Sequence, residues 1–251
     1  MELRNGIAAF DPVTLRIAAE QLPTVQLPEA FDGDLPDHLV DLSEVEVGPF
    51  AVIARIDTGQ LTWDRDASRE VFTTYRGTEA SGVRLSGAKV AQLDDVPVAR
   101  VSVRLNGDKL RAWFAELPAE TPLDSLEITE RVRTWMRDFS RHDKRVDTLT
   151  VPQQNVNYEA FVKGLDRSAR QKITAVIDEH GAHVTAETVI PMSLPSFGGR
   201  RDAKLGEKGP VLFWFSEGNE NKALPFAIVY TQAEAWVVAE GSDLFQPPVT
   251  R

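Results

Sequence analysis

Few side chains in this sequence are of a type that carries chemistry. Cysteine is absent, which removes disulfides, zinc–thiolate sites and a cysteine nucleophile. Of the four histidines, His180 and His183 lie close together beside Asp178 and Glu179. Those are metal-site residue types, but on a strand residues three apart point to opposite faces, so metal ligation is not expected there. His142 sits in the charged run SRHDKR and reads as solvated, and His38 follows Pro36-Asp37 in a loop. No spacing assembles a Ser-His-Asp triad. Neither a Walker phosphate-binding loop nor a GxGxxG is present. The chain is therefore not expected to be an enzyme, and no cofactor or metal is expected.

The remaining signal is in the backbone around Gly181. Read as a strand, the next residues put Ala182, Val184, Ala186 and Thr188 on one face and His183, Thr185 and Glu187 on the other. The first set is small enough to slide under packed neighbours, and the second suits solvent. A charge on the first face would be buried unpaired at a cost of several kcal/mol. An ordinary half-buried edge strand has the same alternation. Gly181, lacking Cβ, suits a hinge, or a plain turn after Asp178-Glu179. Residues 191–209 (PMSLPSFGGRRDAKLGEKG) have no periodicity and form a long loop.

Other elements must position this stretch. DPVTLRIAAEQ (11–21) is a helix with Asp11 as cap and Pro12 at its first position. PFAVIARI from Pro49 is a buried strand, and 69–75, 81–85 and 89–93 are short strands. VARVSVRL (98–105) alternates strictly and ends at the turn pair Asn106-Gly107. Residues 108–117 set Leu110, Trp113, Phe114 and Leu117 at i, i+3, i+4 and i+7, the apolar face of a helix. A second helix is expected over 125–139 and a short one over 158–165. Further strands are expected at 145–151, 171–181, 211–216, 223–230 and 234–240. Helices inserted among many strands give an α+β class, in a single domain over 1–251.

The chain has 251 residues and a net charge of −10. An acidic surface repels phosphate, so nucleic acid and anionic membranes are poor partners. The N-terminal stretch carries Glu2, Asp11 and Glu20 and is not a signal peptide. No apolar run reaches the ~20 residues of a membrane span. The expected compartment is the cytoplasm, with secretion left open.

Several segments come in the order found in serpins. KITAVIDEHG resembles the strand and hinge entry of that family. AHVTAETVIPMSLP resembles the hinge and bait loop, with Ile190-Pro191-Met192-Ser193-Leu194-Pro195 the nearest match. PVLFWF (210–215) resembles the central hydrophobic strand of the C-terminus, and ALPFAIVY its hairpin partner. Upstream, KVAQLDD, VARVSVRL, the helix after Gly107, the helix around Trp135 and TLTVPQ follow the same order. The resemblance covers residues 45–230. Residues 1–44 diverge, and 178–209 hold the hinge and reactive loop. The chain is shorter than a typical serpin and lacks its N-terminal helices.

The resemblance implies a mixed fold of large β-sheets and packed helices, shortened at the N-terminus. It implies a serine protease inhibitor that works as a suicide substrate. The protease serine attacks the bait carbonyl, and the loop inserts into a sheet before water releases the acyl-enzyme. The hinge residues are then Glu179, Gly181, Ala182, Val184, Ala186 and Thr188. The reactive bond is Met192–Ser193, which suits a chymotrypsin- or elastase-like partner. Family spacing points instead near Pro195–Ser196, and Arg200-Arg201 offers a trypsin-like cut. The alternative is a non-inhibitory protein of the same fold that binds a partner. A sheet lacking strands leaves open edges, so homo-oligomers through edge pairing are also expected.

Overall fold

The computed structural model describes residues 1–22, 26–36, 43–47, 52–105, 108–162, 169–185, 202–217 and 222–239. Strands run in the order β1 (Ile7–Phe10), β2 (Ser43–Val47), β3 (Val52–Trp63), β4 (Ala67–Thr73), β5 (Glu79–Ser86), β6 (Lys89–Leu93), β7 (Val96–Leu105) and β8 (Asp108–Glu116). Then follow β9 (Lys144–Arg145), β10 (Thr148–Pro152), β11 (Gln154–Val162), β12 (Ala169–Asp178), β13 (Gly181–Thr185), β14 (Asp202–Lys204), β15 (Val211–Ser216) and β16 (Phe226–Thr231). Helix α1 spans Pro12–Glu20 and α2 spans Ser125–His142. These are the two α-helices among the described residues, so the fold is mostly β and the α+β expectation with packed helices is overturned.

Among the described residues one sheet holds 12 strands, with the path β1-β16-β15-β8-β7-β3-β13-β12-β11. A second sheet has 4 strands, in the order β14-β10-β5-β4. The large sheet curls until its two ends meet, as a nearly closed barrel. There the Tyr158 hydroxyl donates to the Glu2 carbonyl at 2.6 Å, and Arg4 donates to the Glu159 carbonyl at 2.9 Å.

Burial of both sheet faces explains the misplaced helix over 108–117. Leu110, Ala112 and Phe114 of β8 face one core, while Trp113, Ala115 and Leu117 face the other. A strand with two apolar faces shows no alternation of polarity, and its large residues fell by chance at helical spacing. β8 is locked by its ladders to β7 and β15. The Asn106-Gly107 pair itself lies outside the described residues. The helix expected over 158–165 is also a strand as far as Val162. Val156, Tyr158 and Ala160 are buried there, between exposed Asn155, Asn157 and Glu159. The strand expected over 234–240 is a 3-10 turn at Ala233–Ala235, with single bridges from Trp236 and Val238. The Trp236 ring packs on Phe72 and Tyr75 instead of joining a ladder.

Helix α2 forms where expected. The Asp124 side chain caps it, accepting from the amides of Leu126 and Glu127 at 2.9 and 3.1 Å. Its buried stripe includes Val132, Trp135, Met136 and Phe139. These cover the sheet where Trp113 and Trp214 stack at 5.8 Å, and the Arg100 guanidinium sits 5.0 Å over Phe139. The opposite face packs on α1 and the small sheet, through Val13, Ile17, Phe72, Val83 and Leu149.

Asp11 does more than cap α1. One carboxylate oxygen accepts from Thr14 N at 3.0 Å, and the other from Ala227 N at 3.0 Å. Ala227 has a left-handed φ of 48° beside the register shift between β15 and β16. Gln171 of β12 brackets the Asp11 backbone, accepting from its N–H at 3.0 Å and donating to its carbonyl at 2.7 Å. Asp11→Ala removes a cap and strands a buried amide. It is expected to cost about 2–4 kcal/mol, read by denaturant unfolding.

Candidate functional site: the turn into β13

The stretch after β12 turns tightly and returns into the same sheet. Asp178 shapes the turn, its Oδ1 accepting from His180 N at 2.8 Å and Gly181 N at 3.1 Å. The Asp178 carbonyl accepts from the Trp63 indole at 2.9 Å, which ties the turn to β3. Arg69 of β4 donates to Glu179 Oε1 at 2.9 Å, joining the turn to the small sheet. His180 is on the outside of the turn, 55% exposed.

β13 then runs as an internal strand. It pairs antiparallel with β12, from Asp178↔Gly181 to Thr174↔Thr185. On its other edge it pairs antiparallel with β3, as Ala182↔Leu61 and His183↔Gln60, with a register shift before Thr185↔Asp57. Ala182 is fully buried in the large core, with Leu61 and Ile177. Gly181 is required for a reason other than free φ and ψ. A Cβ there would lie 2.1 Å from the Leu61 carbonyl oxygen, so the two backbones touch where only hydrogen fits.

His183 faces the other side of the sheet. Its side chain is 14% exposed, and Nε2 stands 3.9 Å from Asp57 Oδ1. That is beyond hydrogen-bond reach, and among the described residues Nε2 is buried with no hydrogen-bond partner. Burial lowers the imidazole pKa below its ordinary value, against a weaker raising pull from Asp57.

The turn that follows β14 is held by Glu116 of β8. Its Oε1 accepts from the backbone amides of Gly206 at 3.0 Å, Lys208 at 2.6 Å and Gly209 at 3.1 Å. A Cβ on Gly209 would sit 2.1 Å from the Leu117 carbonyl oxygen, so this return is as tight as the one at Gly181. Sequence reasoning missed Glu116. The available signal was a carboxylate directly after the apolar run Ala112–Ala115, which a helix reading sets on a solvated face.

Of the hinge residues named from sequence, Glu179, Gly181 and Ala182 meet at this turn, and Val184 continues β13. Ala186, Thr188 and the Met192–Ser193 bond lie outside the described residues, as do Pro195–Ser196 and Arg200-Arg201. No helix among the described residues is long and apolar enough to cross a membrane.

No family model matches this sequence, and neither does any curated protein. Among solved structures, one described as cleaved Serpin 42Da is similar, with a TM-score of 0.46 at 12% identity. The match covers 72% of this chain and 55% of that one. The chain thus spans little more than half the length of that protein.

Proposed function

We propose that this protein is a serpin-like serine protease inhibitor that offers the loop after β13 as a suicide substrate. The observation that supports the reading is β13 itself. Residues able to form a hinge are accepted between β12 and β3, with Ala182 in the core and a glycine at the point of closest backbone approach.

The observed register sets the reach of further insertion. Continued past Thr174↔Thr185, it brings Ala186 opposite Ile173, Thr188 opposite Gln171 and Ile190 opposite Ala169, where β12 begins. Those five added residues span about 17 Å. Cleavage just beyond Ile190 frees that length, which favours Met192–Ser193. The protease serine attacks the Met192 carbonyl carbon, the Ser193 amine leaves, and an acyl-enzyme forms. Insertion must then outrun hydrolysis.

Insertion adds strand pairing, so cleavage after Met192 is expected to raise the melting temperature by about 5 °C or more, equivalent to ~2 kcal/mol at this size. Scanning calorimetry of nicked against intact chain reads this. No rise, or a fall, would leave a non-inhibitory scaffold that binds through the loop.

A further inference from the structure

We propose that His183 makes the seating of β13 dependent on pH, so that mild acid loosens the strand. This rests on the reading of β13 as a hinge. A strand meant to slide between β3 and β12 needs an outward face without cost, and His183 is the exception. Its Nε2 is buried and unpartnered, and its ring lies between two paired strands. Neutral imidazole is tolerated there as an apolar ring with one unfilled acceptor or donor. Imidazolium has two donors and a full charge to satisfy.

The charged groups facing it are few. From β3 comes Asp57, 3.9 Å away and 43% exposed, so its attraction is screened by water. From β12 the cross-strand partner is Val176, and Asp178 lies further along, with its Oδ1 engaged by the turn amides. β13 itself carries no other titratable side chain among Gly181–Thr185. Burial therefore prevails, and the ring's pKa falls. A histidine with a depressed pKa in the seated strand binds fewer protons there than when released. Seating is fully favoured above the ordinary value of about 6.5 and weakens as pH falls through it.

The test is amide hydrogen exchange of residues 178–185 between about pH 7.5 and 5.5, referenced to residues 148–162 of the same chain. The reference removes the intrinsic effect of pH on exchange. Relative protection of β13 is expected to fall in the wild type, by at most about tenfold, and to stay flat in His183→Gln. Equal pH dependence in both proteins overturns the proposal. If His183→Gln does not fold, NMR titration of the wild-type imidazole decides, and a midpoint at or above 6.5 overturns it. No protease enters the assay, so this result and the fate of the inhibitor reading are separate.

Discussion

Gly181→Ala is expected to unseat β13, which joins β3 to β12, while leaving the β7-β8-β15-β16 ladders and the small sheet standing. The added methyl would lie 2.1 Å from the Leu61 carbonyl oxygen, and that atom belongs to backbone held by the β3 ladder. Neither side can yield without breaking a strand pair. The expected cost is about 3 kcal/mol, or a fall in Tm of roughly 6–12 °C. Amides of Ala182 to Thr185 should lose protection, while those of β7, β8 and β15 keep theirs. Valine should be worse, because the branched side chain adds bulk at the same atom. Under the proposed inhibitor function, blocked insertion should let a protease cut after β13 and leave without a covalent complex. An alanine variant as stable as the wild type, with β13 still protected, would show that the backbone approach is not what fixes the hinge.

Glu116→Ala is expected to be at least as damaging, at about 3–5 kcal/mol. Three backbone amides lose their shared acceptor at once, and those of Gly206 and Gly209 are buried. Glu116→Gln keeps an acceptor oxygen at the same place and should recover about half of the loss, because a neutral acceptor forms weaker bonds than a carboxylate. Urea unfolding of the three proteins measures this.

What the sequence made legible follows from where polarity alternates. β7 was read closely, because its buried and solvent-facing residues take turns along the strand. α1 was read from its cap, with Asp11 doing the local work expected of it, and α2 forms over the expected segment with the Trp135 face buried. β8 was not read as a strand, since α2 covers one of its faces and the large core the other along Ala112–Ala115, and its polar residues fall outside that run. β11 was missed for the opposite reason. Its alternation is clear, but it starts at Gln154, four residues before the segment read as a helix.

At the candidate site, the alternation after Gly181 correctly put Ala182 on the inner face. The expectation that His183 would face solvent did not hold, because strands on both sides leave its ring 14% exposed. The glycine was named for its missing Cβ, and the structure supplies the neighbour that a Cβ would meet, the Leu61 carbonyl oxygen. A close carbonyl on a strand 120 residues away leaves no mark in a local pattern, and neither do the amides gathered by Glu116.

The central claim is that the loop after β13 traps a serine protease. The direct measurement is separate incubation with chymotrypsin, elastase and trypsin, followed by denaturing gel and intact mass. The account predicts a covalent complex with chymotrypsin or elastase, of the mass of the protease plus residues 1–192, and a released C-terminal peptide beginning at Ser193. Cleavage in the loop with full turnover and no complex by any of the three would contradict it.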